Sequence, residues 1–179
     1  SCTKSFKPLR VPRRRIQLAP HTLTVVRQTL QARQIFEGPC RASFEEAFAR
    51  FIGTRWAIGV TSGRIGLALS IKVLGLKPED EILCPAYTFH VIPPVLRACG
   101  LVPIFVDADP ETYNMDPALL ERSVTPKTRA VLLTHLFGQP CNIEVGLSIA
   151  RRHGLKVIED CAQACGAAYQ GKRVGSFGE

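Results

Sequence analysis

The chain has 179 residues, 46% of them apolar and 21% charged, with a formal net charge of +8. That length suffices for one domain with a sizeable core or for part of a larger one, and the composition is that of an ordinary globular protein, not a low-complexity one. No run approaches the roughly 18 apolar residues of a membrane-spanning helix, and the opening SCTKSFKPLR lacks the apolar core of a secretory signal.

The charge is unevenly spread. Residues 1–36 hold eight basic residues and no acid, which leaves fifteen of each sign in the remainder. The pI of 9.4 therefore describes an N-terminal arm, not a basic domain. Arg13, Arg14 and Arg15 can meet nucleic acid or an anionic surface. No aromatic interleaving or helix-turn-helix pattern accompanies them, so a solvated arm, or one packed on a partner subunit, is the expectation. The first residue is not methionine, which suggests processing or an excerpt.

A helix is predicted near His21 to Gln34, broken by Glu37-Gly38-Pro39. Ser43 followed by Glu46 is a capping box and predicts the start of the next helix. Phe44, Ala47, Phe48 and Phe51 give it an apolar face, and Gly53 ends it. WAIGV (56–60) then reads as a strand, and TSGR leads into a helix closed by Gly75. Strands follow at EILCP (81–85), LVPIFVD (101–107), AVLLTH (130–135) and LKVIEDC (155–161). Between them lie a helix before Gly100, one opened by Asp116-Pro117 with proline at the first helical position, and one over 143–152. Residues 169–173 read as a hairpin. The apolar runs are near-continuous, as in parallel strands covered on both faces. The alternation predicts a three-layer α/β fold with an open, mostly parallel sheet.

Such sheets carry their chemistry at the carboxyl ends of the strands. Those ends bear Ser62-Gly63-Arg64, the segment from Pro85 to Phe89, Asp107, His135, and Asp160 with Gln163. A small-residue turn at a helix N-terminus suits phosphate, although Ser62 serves equally as a plain helix cap. The turn matches neither a Walker A loop nor GxGxxG. Asp160 can cap the segment after it or pair with a cation. Phe89 can be core or a platform for a flat ring, and His135 core or a ring donor. Together they describe a ligand with a phosphate, a flat aromatic body and a basic ring nitrogen. Pyridoxal 5'-phosphate fits, since its chemistry needs a ring nitrogen kept protonated by a carboxylate.

The seven cysteines are irregularly spaced and lie mostly among apolar residues, where a thiol is a small hydrophobe. A reducing, cytoplasmic setting is expected. Cys161 and Cys165 have no histidine beside them in sequence, so no metal site is expected.

Five ordered blocks carry a resemblance. They are FEEAFARFIGTRWAIGVTSGRIGLAL, KPEDEILCPAYTF, GLVPIFVDADPETYNMD, TPKTRAVLLTHLFGQPCNI and KVIEDCAQACGAAYQGKRVGSFGE. From about Gly38 to Glu179 the chain resembles the front half of the DegT/DnrJ/EryC1/StrS family of pyridoxal-phosphate sugar aminotransferases, of aspartate-aminotransferase fold type I. The resemblance implies that Ser62, Gly63 and Arg64 meet the cofactor phosphate and that Phe89 stacks on its ring. Asp160 would hold the ring nitrogen protonated and Gln163 would lie near the ring oxygen, with His135 in a supporting role. It implies a homodimer with the active site at the subunit interface. The reaction implied moves an amino group from glutamate to the keto group of a nucleotide-linked sugar, with a lysine that anchors the cofactor and moves a proton.

Two departures accompany the resemblance. Arg64 stands where the family usually has threonine, so the hydroxyl is lost while the backbone N–H remains. Arg64 either supplies its charge to the phosphate or fills a pocket no longer used for a cofactor. The family lysine is expected about ten residues beyond the position of Glu179, and Lys172 does not match it. The resemblance thus divides the chain into a basic arm and helix (1–36) and an incomplete large domain (37–179), with the small C-terminal domain absent. The chain alone is then expected to be inactive. The alternatives are a non-catalytic relative that dimerises or binds a sugar and, more distantly, a nucleic-acid-binding module.

Overall fold

The computed structural model describes residues 18–33 and 38–178. Arg13, Arg14 and Arg15 of the basic arm lie outside the described residues, as do Glu37 and Glu179. The chain forms two compact units, Ser1–Cys40 and Arg41–Glu179. In the first, helix α1 spans Thr22–Gln31, inside the predicted range.

Helix α2 spans Pro39–Ile52 and begins four residues before Ser43. The predicted capping box is therefore not formed, and Glu46 pairs with Arg50 at 2.5 Å instead. Proline at the first helical position has its φ preset and no N–H to satisfy, so it takes over the start.

The second unit is built on four parallel strands: β1 (Glu81–Pro85), β2 (Val102–Val106), β3 (Thr128–Thr134) and β4 (Lys156–Asp160). Their order is β2-β1-β3-β4. The predicted strand at 56–60 does not form. A strand needs a neighbour to take its backbone groups, and no described strand pairs with this segment. The N–H of Gly59 donates to the Glu45 carboxylate at 2.7 Å, and Trp56 and Ile58 are 73% and 79% exposed.

Helices cover both faces. Helices α3 (Gly63–Val73) and α4 (Ile92–Ala98) pack Leu67, Ile71 and Leu96 against Ile82, Leu132 and Ile158. On the other face, α5 (Pro117–Leu120) and α6 (Ile143–His153) pack Leu120, Ile143 and Ile149 against Leu83, Val131, Leu133 and Val157. The predicted start of α5 holds, Asp116 accepting the Ala118 N–H at 2.8 Å; α6 is capped by Asn142, which accepts the Val145 N–H at 3.3 Å. The predicted hairpin forms from β5 (Ala168–Tyr169) and β6 (Lys172–Arg173). Its turn residues Gln170 and Gly171 both have positive φ, at 49° and 81°, as the strand twist favours in a two-residue hairpin loop.

Strand β2 follows β1 on one side, whereas β3 returns to β1's other side. The direction of the sheet therefore reverses between β1 and β3. Open α/β sheets bind ligands outside the carboxyl ends of the strands at such a reversal.

Candidate functional site

Three segments carry the candidate site residues. The first is the start of α3. Ser62 caps it, its hydroxyl accepting the Ile65 N–H at 3.4 Å. No atom lies within 4 Å of where a side chain on Gly63 would begin. Arg64 is exposed, and its guanidinium has no partner among the described residues. What the turn presents is an accessible helix N-terminus with a free positive charge, a good environment for an anion.

The second segment is the end of β4, where the fold separates the two acids of the VIED run. Successive side chains of a strand point to opposite faces. Val157 packs on the α5–α6 side and Ile158 on the α3–α4 side, so Glu159 and Asp160 diverge the same way. Asp160 is half-buried on the face shared with α3. Its Oδ1 accepts the Ala162 N–H at 3.0 Å, and its Oδ2 accepts no hydrogen bond from the described residues.

Glu159 sits on the opposite face with its side chain 3% exposed. It accepts the N–H groups of Gly175, Phe177 and Gly178 at 2.8, 2.7 and 2.7 Å. Its Oε2 is also 3.2 Å from His135 Nε2. Burial pushes this carboxyl up, but the hydrogen bonds from His135, Gly175, Gly178 and Phe177 together outweigh it and hold the group below its ordinary value.

His135 is completely buried, and its Nδ1 accepts the Cys141 N–H at 3.1 Å. That bond leaves Nε2 as the protonated nitrogen, donating to Glu159. Both ring nitrogens are thus engaged by protein groups. The fold also brings Cys161 close, with ligand atoms of His135, Glu159 and Cys161 within 4.8 Å of one another. The oxygens of Glu159 already accept four hydrogen bonds, so the cluster reads as a structural latch and not as a metal centre. Burial and the neighbouring Glu159 push the Cys161 thiol up to about 12.

The third segment is aromatic. Phe89, just beyond β1, is 54% exposed and meets the His90 ring edge-on at 4.6 Å. Gln163 accepts the Phe137 N–H through its side-chain oxygen at 3.1 Å. This ties the turn after β3 to the segment after β4. Buried Asn114 braces the same turn, accepting the Leu136 N–H at 3.0 Å and donating to the Gln139 carbonyl at 3.3 Å.

Two hydroxyls complete the edge. Thr88 Oγ1 and Thr134 Oγ1 are the buried side-chain polar atoms without a hydrogen-bond partner among the described residues. Thr88 follows β1 and Thr134 ends β3, so they stand on either side of the reversal. Thr134 is also the register partner of Asp160.

Phe89 thus follows β1, His135 follows β3 and Asp160 ends β4 with Gln163 just beyond it, all at the carboxyl ends of the strands, while Ser62, Gly63 and Arg64 start α3, which packs on the face that carries Asp160. Glu159, Thr88 and Thr134 were missed. Alternation along 155–161 was the available signal for Glu159, because adjacent strand residues cannot share a face.

A family model, described as the DegT/DnrJ/EryC1/StrS aminotransferase family, matches residues 17–179. The chain is 43% identical over 136 residues to a GDP-perosamine synthase of Caulobacter vibrioides, covering 76% of this chain and 37% of that protein. It is equally 43% identical over 136 residues to a dTDP-3-amino-3,6-dideoxy-alpha-D-galactopyranose transaminase of Aneurinibacillus thermoaerophilus, covering 76% of this chain and 38% of that protein. Among solved structures, it matches an Escherichia coli GDP-4-keto-6-deoxy-D-mannose-3-dehydratase with bound hydrated PLP. There the TM-score is 0.86 at 29% identity, over 92% of this chain and 44% of that one. The chain spans about two fifths of the length of these relatives.

Proposed function

Because the chain belongs to the DegT/DnrJ/EryC1/StrS aminotransferase family, we propose that it is part of a pyridoxal-phosphate enzyme. That enzyme moves an amino group from an amino acid, glutamate, to a keto group of a nucleotide-linked sugar. The observation that carries this reading is the position of Asp160. It is a half-buried carboxylate at the end of β4, on the sheet face shared with α3, with one oxygen free of partners among the described residues.

The residues fit pyridoxal 5'-phosphate. The buried hydroxyls of Thr88 and Thr134 lack partners among the described residues, and a buried polar group left unpaired costs about 1–3 kcal/mol. When bound, the cofactor supplies a ring that accepts electron density from the substrate's α carbon. Asp160 would hold the proton on the ring nitrogen and so maintain that capacity. The Ser62-Gly63-Arg64 turn would hold the phosphate through backbone N–H groups and the Arg64 charge. Phe89 and Gln163 would contact the ring, with His135 in a supporting role through Glu159.

The protein works as a homodimer in the cytoplasm. Exposed apolar side chains such as Trp56, Ile58 and Val73 support an extensive covered surface in the complete assembly. Among the described residues no helix is long and apolar enough to cross a membrane.

The test is direct. The full-length protein, purified with pyridoxal 5'-phosphate, is offered glutamate and a panel of nucleotide-linked 3-keto and 4-keto sugars. Formation of 2-oxoglutarate together with an amino sugar is the expected result. Cofactor binding without amino transfer to any keto sugar would favour the non-catalytic, sugar-binding reading.

A further inference from the structure

Thr134 is 95% buried, yet its hydroxyl has no hydrogen-bond partner among the described residues. Most buried polar groups are paired, so an exception calls for a reason. Valine would fill the same volume without the unpaired hydroxyl.

The position supplies that reason. Thr134 ends β3 with its side chain on the α3–α4 face, by alternation from Ala130 and Leu132. In the parallel ladder its register partner is Asp160. Asp160 points to the same face, with Oδ1 held by the Ala162 N–H at 3.0 Å and Oδ2 free. A donor without an acceptor therefore stands beside an acceptor without a donor. As register partners on one face of a parallel ladder, the two side chains are direct neighbours.

We propose that Thr134 is a positioning residue whose hydroxyl donates to the free Oδ2 of Asp160 once that carboxylate turns to a protonated ring nitrogen. This rests on the cofactor reading above. Asp160 is then held by a backbone N–H on one oxygen and by a hydroxyl on the other. Both contacts fix its direction. Thr88, the second unpaired hydroxyl, stands on the far side of the sheet reversal, and its role is separate.

The experiment compares equilibrium affinity of the full-length apoprotein for pyridoxal 5'-phosphate and for its analogue with carbon in place of the ring nitrogen. The ratio of the two isolates the contact between Asp160 and the ring nitrogen. Wild type is expected to prefer the natural cofactor. Thr134→Val should cut that preference about tenfold, the worth of a hydrogen bond to a charged group, while affinity for the carbon analogue holds. Thr134→Ser should restore the preference. In an Asp160→Asn background Thr134→Val should change nothing further.

Thermal melting separates this from a packing role: Thr134→Val is expected to melt at or above the wild-type temperature. Thr134→Ala replaces it if valine does not fold. A preference unchanged in Thr134→Val, an equal loss for both compounds, or failure of serine to restore it overturns the proposal. Wild type that binds neither compound overturns the cofactor reading itself, and wild type that binds both equally removes the role of Asp160.

Discussion

His135 Nε2 lies 3.2 Å from Glu159 Oε2 in a fully buried contact, on the face of the sheet opposite Asp160. The same carboxylate gathers the backbone of residues 175–178. His135 in turn takes the Cys141 N–H. One charged group thus joins the turn after β3, the end of β4 and the segment beyond the hairpin. The edge that presents Asp160 and Gln163 is braced from behind.

Replacing Glu159 by Gln should therefore be costly. The amide keeps one acceptor oxygen but turns an NH2 towards backbone donors, leaving buried N–H groups unpaired. A loss of about 2–4 kcal/mol is expected. Urea unfolding gives the total. Hydrogen exchange should show the amides of Gly175, Phe177 and Gly178 losing protection ahead of the β1 and β3 core. A variant as stable as wild type would mean that the latch contributes no net stability.

The latch also sets an acid limit. Glu159 has a folded value below its ordinary 4.5. Its contribution is complete above 4.5 and is lost as pH falls through the lower folded value. Unfolding free energies of wild type and Glu159→Gln, measured between pH 7 and pH 3, should converge towards the acid end. A constant gap across that range would mean that the charge is not what stabilises the latch.

Much of this was legible in the sequence. The four strands that pair, the helices between them and the caps at Ser62 and Asp116 follow from apolar runs, proline and small polar residues. The strand at 56–60 misled because WAIGV has strand composition, whereas a strand exists only where a neighbour accepts its hydrogen bonds. Ser43 misled because a capping box is a local pattern, and Pro39 upstream starts the helix first. In the candidate site, Asp160 was singled out because a polar residue ending an apolar strand stands out. Glu159 and Thr134 were not, because their roles depend on register and on chain segments 16 to 26 residues away.

Thiol chemistry offers a test of the packing on both sheet faces. Burial pushes the thiols of Cys84 and Cys141 up to about 12, whereas Cys40 and Cys165 are exposed. Only the thiolate alkylates readily. Iodoacetamide at pH 8 followed by peptide mass spectrometry should modify Cys40 and Cys165 well before Cys84 and Cys141 in the native chain. In urea the difference should vanish. Early modification of Cys84 would mean that the β1 core is not packed as described.

Asp160 and Cys161 are neighbours with opposite expectations. Asp160→Asn in the full-length enzyme should lower amino transfer by at least about a hundredfold, since the ring nitrogen loses its carboxylate. Cys161→Ala removes a mostly packed thiol and should cost stability of about 1 kcal/mol with turnover largely kept. Stopped assays with glutamate and a keto sugar measure the first, and thermal melting the second. Equal losses of turnover would remove the distinction between the two residues.

Arg64 is the sharpest departure from the family turn, and its surroundings give a prediction that separates charge from backbone. It is exposed and makes no described contact, so Arg64→Ala should leave the melting temperature unchanged. A cation beside a phosphate at a helix N-terminus is worth about 1 kcal/mol, or roughly fivefold in affinity. The full-length apoprotein carrying Arg64→Ala should therefore bind pyridoxal 5'-phosphate several-fold more weakly, while its affinity for pyridoxal, which lacks the phosphate, stays the same. Equal weakening for both compounds would mean that Arg64 acts through the shape of the turn. No weakening for either would leave the phosphate to the backbone N–H groups of Gly63 and Arg64 alone, and the substitution of threonine by arginine would then be neutral for cofactor binding.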